Sequence, residues 1–337
     1  MPISLVTDLS KNPFEGIRVA ILGDVMLDRF IYGEVDRISP ESPVPVVRVT
    51  RRESHLGGAG NVAANLSSLG AQPILIGRIG HDTLGQEFEA MSKDMSIDTK
   101  YLLKTDVPTI SKSRVVAHSQ QVVRFDEECT DALSLQDRQR ILTVIEEARK
   151  TTDTLIISDY SKGIIDDKML TDVKKIWGAG QIFIDPKPKG ASRNKAYMNT
   201  TTMTPNVAEA CELLGCDKPK ADEDAAVMAK NLVKKFELEH VLLTRSGDGM
   251  TLFDGKKAHQ LKSDTQEVVD VSGAGDTVIS VFAAGIASGM SIEEAAHFAN
   301  VSGGVVVAKL GTACATWAEM QKAMKAYIQY HRNKSAA

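Results

Sequence analysis

Residues 267–280 read EVVDVSGAGDTVIS. Three small residues, Gly273, Ala274 and Gly275, separate an apolar run from a lone acid, Asp276, which heads a second apolar run. If the first run is a strand and the second a helix, the turn gathers unpaired N–H groups and the positive end of a helix dipole at one point. Such a point attracts anions. Gly273 and Gly275 let backbone come close to a ligand. A carboxylate in the same field favours its ionised form. It can take a proton while neighbouring amides hold developing negative charge. Phosphoryl transfer to a hydroxyl needs that combination. No Gly-Lys-Ser/Thr follows, so the turn is not a P-loop. A capping acid on an ordinary turn fits the same residues.

Other sets carry two readings each. In LGDVMLDRF, Asp24 and Asp28 stand four apart at a strand end. They suit sugar hydroxyls, or a helix cap and a solvated acid. In TPNVAEA, Asn206 and Glu209 stand three apart on one turn. Their oxygens suit Mg²⁺ held through water, or a plain helix start after Pro205. LTRSGDGM, residues 243–250, closes over a nucleotide or makes a hairpin. LGGAGNVAANL, residues 56–66, loosely matches the dinucleotide fingerprint, with Asp82 at a distance that suits a ribose. That keeps an NAD-dependent dehydrogenase open. Against it, the first clear strand ends in LGDVMLD rather than GxG, and the segment before Gly57 is charged, with no buried-strand pattern.

Positioning these residues requires a scaffold, and the pattern supplies one. Buried strands are expected at 17–24, 73–80, 154–160, 181–185, 240–246 and 267–271, with short strands near 250–262. Helices are expected at 61–70, 83–94, 134–150, 166–177, 206–214, 221–236, 276–288, 292–308 and 316–330. Residues 48–60 read as a polar segment turning through glycine. Alternation of strand and helix implies a mainly parallel sheet covered on both faces. Residues 30–50 and 107–126, rich in β-branched and polar residues, read as one small β lobe on a larger α/β body.

Of the 337 residues, 43% are hydrophobic and 25% charged, with net charge −4. Nothing suggests a polyanion-binding surface, so nucleic acid is not an expected partner. Cys129, Cys211, Cys216 and Cys314 show no zinc or CxxC spacing. Reduced, mostly buried thiols in a cytoplasmic protein are expected. The N-terminus lacks a secretory pattern, and no apolar run reaches membrane-spanning length.

Gly57-Gly58 with Asn61, Asn206 with Glu209, TRSGDG and DVSGAGDT occur in an order that resembles the ribokinase-like (PfkB) carbohydrate kinases, over about residues 15–325. Within that family, GDVMLDRFIYGEVDRISPESPVPVV, GGAGNVAANLSSLGA, SDYSKG, DPK, TPNVAEA and LTRSGDGM are similar to the heptose 7-phosphate kinases of lipopolysaccharide core synthesis. The resemblance implies a ribokinase-like three-layer α/β/α sandwich, one domain over 1–337, and a β-sheet lid from about 30–50 and 107–126. It implies ATP-dependent phosphorylation of the anomeric hydroxyl of D-glycero-D-manno-heptose 7-phosphate, on the way to ADP-heptose. Another sugar or sugar phosphate is the alternative acceptor.

The implied roles are these. Asp276 is the base, and the amides of Gly273, Ala274 and Gly275 form the anion hole. Asn206 and Glu209 organise Mg²⁺ and the ATP phosphates, and Thr244, Arg245, Ser246 and Gly247 line the nucleotide. Asp24, Asp28, Gly57, Gly58 and Asn61 hold sugar hydroxyls. Arg114, Lys162 and Lys187 are the candidates for the substrate phosphate, and Asp270, with carbonyls near Gly311, for a monovalent cation such as K⁺. A homodimer through the lid is implied. Many such kinases carry a further nucleotidyltransferase domain with an HxGH signature. No such signature occurs here, so a stand-alone kinase, or the kinase piece of a longer protein, is expected.

Overall fold

The first strand, β1 (Arg18–Gly23), turns Val19 and Ile21 into one apolar cluster and Ala20 and Leu22 into another. A strand buried on both faces lies inside a layer, which is why its sequence is an unbroken apolar run. The computed structural model describes residues 8–118, 120–263 and 268–336. The first residues of the N-terminal segment, and Glu267 at the head of the expected strand 267–271, lie outside the described residues.

In chain order the further strands are β2 (Val25–Ile38), β3 (Pro45–Gly58), β4 (Gln72–Gly80), β5 (Leu102–Thr105), β6 (Ile110–Ala117), β7 (Gln120–Glu127), β8 (Thr154–Ser158), β9 (Gln181–Asp185), β10 (Thr202–Met203), β11 (His240–Thr244), β12 (Met250–Phe253) and β13 (Ala258–Leu261). The helices are α1 (Ala59–Ser68), α2 (Thr83–Asp94), α3 (Leu135–Arg149), α4 (Asp167–Trp177), α5 (Gly190–Ala196), α6 (Val207–Leu214), α7 (Asp222–Phe236), α8 (Ala274–Ala287), α9 (Ile292–Val307) and α10 (Trp317–Ala336).

Among the described residues the large sheet runs β13-β12-β11-β10-β9-β8-β1-β4-β5. Its pairings are parallel except for β11–β12 and β12–β13. One apolar cluster joins it to α1, α2, α8, α9 and α10, the other to α3, α4, α6 and α7. The architecture is therefore helix, sheet, helix. The order reverses beside β1: β4 lies on one side and β8 on the other. Ligand crevices of open parallel sheets form at such a reversal, beyond the carboxyl ends of the strands. Asp24, Asp159 and Thr204 directly follow strands there, and Asp185 and Thr244 end theirs.

A second sheet, β3-β2-β6-β7, stands apart. It begins earlier than the sequence suggests, because β2 starts at Val25, directly after Asp24. Residues 48–58, expected to be a turning polar segment, belong to β3 and pair with β2 from Val25–Gly58 outward, with a register shift between Tyr32 and Gly33. Their charged side chains are tolerated because most of β3 faces solvent. The expected strand at 268–271 does not form. The N–H groups of Val269 and Asp270 both donate to the Val307 carbonyl at the end of α9, so no neighbouring strand pairs with them. The expectation of mostly buried thiols also fails: Cys216 is exposed and the other three are half-buried.

Close strand packing at the reversal needs a residue without a side chain. A Cβ on Gly23 would lie 2.3 Å from the Ser158 carbonyl oxygen of the adjacent strand. Gly23→Ala is expected to lower stability by about 1–3 kcal/mol, the usual cost of overpacking. Urea unfolding should show a lower midpoint with an unchanged slope; a wild-type midpoint would contradict the packing.

Candidate active site

Asp276 lies in the first turn of α8 and is 3% exposed. Gly273 caps the helix in the left-handed region, with φ 77°. A Cβ there would sit 2.5 Å from Asn61 Nδ2, so the position excludes a side chain as well as favouring glycine. Asn61 Nδ2 donates to Asp276 Oδ2 at 2.8 Å, and the Tyr160 hydroxyl donates to Oδ1 at 2.9 Å. Burial pushes the carboxyl up to about 6, against these two hydrogen bonds, which favour the ionised form, and Lys112, which also lowers it; Asp28 adds to the rise. The rise corresponds to roughly 3 kcal/mol against ionisation.

The orientation of Asn61 is set by its neighbours. Asn65 Nδ2 donates to Asn61 Oδ1 at 3.2 Å, which leaves the Asn61 NH₂ to face Asp276. Thr277 Oγ1 donates to Asn65 Oδ1 at 2.9 Å and closes the chain between α1 and α8. Asn61, expected on a sugar hydroxyl, holds the Asp276 carboxylate in this structure.

Tyr160 depends on Asp24. The Asp24 carboxylate is fully buried and accepts N–H groups of Tyr160 (3.0 Å), Lys162 (2.9 Å) and Ile164 (3.3 Å). Burial raises its pKa, opposed by those bonds. Expected on a sugar hydroxyl, Asp24 has its oxygens turned to the N–H groups of the loop after β8. It positions Tyr160, whose own pKa burial, then Asp276, raise well above the ordinary value, so the phenol keeps its proton.

Asp28 lies on β2 and pairs with Arg114 of β6 at 2.8 Å. A Cβ on Gly57 would fall 2.4 Å from Asp28 Oδ2, and one on Gly58 2.3 Å from the Asp24 carbonyl oxygen. Both glycines thus make room at the meeting of the two sheets. Lys162 Nζ meets Glu128 at 2.5 Å. Lys112, which carried no expected role, lies opposite Asp28 in register, its Nζ 5.3 Å from the Tyr160 ring centroid. Its half-burial lowers its pKa. The strand alternation of β6 puts Lys112 and Arg114 on one face, a signal that was available in SKSRVV.

Asp276 opens into a cleft lined by Tyr160, Asp185, Lys187, Asn206, Glu209 and Gly275. Asn206 caps α6: its Oδ1 accepts the Glu209 N–H at 2.9 Å, and Glu209 Oε2 accepts the Asn206 N–H at 3.1 Å. Lys187 Nζ lies 3.5 Å from Glu209 Oε1, which places it at this cleft rather than with Arg114 and Lys162. Asp185 has its pKa raised well above the ordinary value by burial, then by Glu209 and Asp276. Glu209 is raised too, mainly by burial. Among the described residues no cluster of three or more His, Cys, Asp or Glu side chains is placed to hold a metal ion, so Asp185 and Glu209 offer Mg²⁺ a site only together with water or a ligand's own oxygens.

A second cleft, of about 380 Å³, shares Thr244 and Gly275 with the first and is walled by Met250, Val271, Val278 and Val307. Ser246 and Gly247 line it. Arg245 does not: its guanidinium turns to Asp222 at 2.7 Å and Gln260 at 3.1 Å, an ion pair with the first turn of α7. Of the three small-residue amides at the α8 start, that of Ala274 already donates to Val271 at 3.3 Å. Asp270 accepts N–H groups of Ser272 at 2.9 Å and Gly311 at 3.0 Å, so these two loops do meet. The dinucleotide reading fails on geometry. Gly57 and Gly58 end a strand of the second sheet, and Asp82 caps α2 through Gly85 N at 2.7 Å.

The chain matches, over residues 17–318, the sequence model of a family described as pfkB family carbohydrate kinase. It is 42% identical over 315 residues to the D-beta-D-heptose 7-phosphate kinase of Bordetella bronchiseptica, covering 93% of this chain and 98% of that protein. It is 40% identical over 313 residues to the bifunctional protein HldE of Aeromonas salmonicida, covering 92% of this chain but 64% of that protein, under two thirds of its length. Among solved structures, phosphofructokinase-2 from Escherichia coli in complex with potassium matches with TM-score 0.77 at 18% identity, covering 94% of this chain and 99% of that one. Arabidopsis thaliana ribokinase complexed with ribose and ATP matches with TM-score 0.72 at 20% identity, covering 92% and 99%. The fold is thus ribokinase-like.

The two hydrogen bonds to Asp276 hold its ionised form, so removing either should raise its titration midpoint above about 6. Carboxyl ¹³C NMR of Tyr160→Phe and Asn61→Ala checks this. A midpoint that stays put or falls in both variants would contradict the assigned contacts.

Proposed function

Because the chain belongs to the pfkB family of carbohydrate kinases, we propose that it transfers the γ-phosphoryl group of ATP to the anomeric hydroxyl of D-glycero-D-manno-heptose 7-phosphate. The product is the 1,7-bisphosphate, a precursor of ADP-heptose in lipopolysaccharide core synthesis. The relative from Bordetella bronchiseptica, matched along nearly its whole length, supports the choice of sugar. The observation that carries the reaction type is Asp276 in the lining of one of two clefts that share Thr244 and Gly275. The apolar cleft suits the nucleotide. Its phosphates then extend over the start of α8, where the amide of Gly275 has no helical partner. Asp276 takes the hydroxyl proton as the sugar oxygen attacks the γ-phosphorus, and ADP leaves. Asp185 and Glu209 are the residues that would hold Mg²⁺, which supplies charge neutralisation for the ATP phosphates when bound. Asp270 and the loop at Gly311 are proposed to flank a monovalent cation, K⁺.

Lys112, Arg114 and Lys162 are proposed to face the sugar and its phosphate from the second sheet and the loop after β8. The second sheet then acts as a lid that excludes water. Its outer residues Val49, Val122, Val123 and Phe125 are large, apolar and exposed, which supports pairing of this face with a second copy of the chain. Among the described residues no helix is long and apolar enough to cross a membrane.

Asp276→Asn is expected to cut turnover by ~10²–10⁴ with little change in KM, the usual worth of a positioned base. Phosphorus NMR of ATP and heptose 7-phosphate measures it, and near wild-type turnover in the variant would refute the role. For the native enzyme, kcat/KM should fall as pH drops through about 6, where Asp276 gains its proton. Lys162→Ala should raise KM for the sugar phosphate far more than for the free sugar; equal effects would remove it from the phosphate site. Val123→Glu should shift the mass in light scattering from dimer to monomer, and a wild-type profile would argue against pairing through the lid. An ADP-release screen across fructose 6-phosphate and other sugar phosphates separates the alternative acceptors.

A further inference from the structure

The C-terminus of α6 brings two thiols together. Gly215 takes the left-handed conformation, φ 70°, and the N–H groups of Gly215 and Cys216 both donate to the Cys211 carbonyl, at 2.7 and 3.1 Å. In this form of helix stop, the residue that closes the six-residue hydrogen-bonded ring and the residue that accepts its N–H are the pair whose side chains meet. Those positions usually hold apolar side chains. Here they are Cys216 and Cys211. Such a turn keeps the two Cα atoms close to the span of a disulfide, about 4.4–6.8 Å. Cys216 is exposed and Cys211 half-buried, so an oxidant reaches one and finds the other beside it. Cys129 follows β7 and Cys314 precedes α10, each distant in the chain from α6.

We propose that Cys211 and Cys216 form a redox-active dithiol that closes to an intramolecular disulfide. The Cys216 thiolate attacks one sulfur of a low-molecular-weight disulfide and releases one thiol of that oxidant. The Cys211 sulfur then attacks Cys216 and displaces the second. The protein gives up two protons and two electrons, and the oxidant leaves as two thiols. The closed ring lies at the opposite end of an eight-residue helix from the Asn206–Glu209 cap, so the modification acts on the element that borders the phosphate cleft. In a reducing compartment such a bond forms under oxidative conditions and reverts.

The test treats the folded full-length chain with oxidised glutathione, then counts free thiols and maps peptides by mass. The expected result is joint loss of two of the four thiols. The peptide holding both Cys211 and Cys216 should become lighter by two hydrogens, and dithiothreitol should reverse the change. Cys211→Ser should instead accumulate glutathione on Cys216, since the resolving sulfur is gone. The proposal is overturned if the native chain holds glutathione on Cys216 while Cys211 stays free. It is equally overturned if all four thiols react at one rate. A thermal melt of Cys211→Ser matching the wild type would show that the fold is not the cause of any difference.

Discussion

A carboxylate that must be dry and yet ionised is the constraint on which this structure rests. Asp276 is 3% exposed, and that dryness pushes its pKa to about 6. Left alone, so buried an acid would hold its proton at neutral pH. Three groups work against that: the Asn61 amide, the Tyr160 hydroxyl and Lys112. Each is supplied by a different part of the chain, and the first two have supports of their own.

Those supports join the two sheets. Asn61 sits in the first turn of α1, directly beyond the end of β3, so a strand of the second sheet and the helix that carries the Asp276 partner are one continuous segment. Tyr160 is held by a loop that donates its N–H groups to Asp24, the residue between β1 and β2. A single short stretch, residues 23–28, therefore carries the sheet reversal, the loop anchor and Asp28 of the second sheet. Glycine is required where these parts touch. At Gly23, Gly57 and Gly273 a Cβ would collide with the Ser158 carbonyl, Asp28 and Asn61 respectively.

The cleft beyond Asp276 adds a second electrostatic theme. Asp185 and Glu209 raise the proton affinity of the site in the absence of a cation, while Lys187 partly offsets them. A divalent cation carried in by a nucleotide would relieve that repulsion. The site is thus matched to a ligand that brings positive charge with its phosphates.

The local signals in the sequence were sufficient for the parallel α/β body, because a strand buried on both faces and an amphipathic helix each leave a pattern in the chain. Helix boundaries near 83–94 and 166–177, the hairpin at 107–126 and the turn before Asp276 were legible for that reason. The partner of each polar side chain was not. Asp24 reads as a ligand for a sugar, but the fold gives its oxygens to backbone amides. Arg245 reads as a nucleotide contact, but Asp222 claims it across 23 positions of chain. Lys112 drew no notice, yet it stands over Tyr160. Residue type and spacing determine what an element is and which groups it offers. Which group meets which depends on contacts between residues hundreds of positions apart, as between Asn61 and Asp276, and tertiary packing alone decides those.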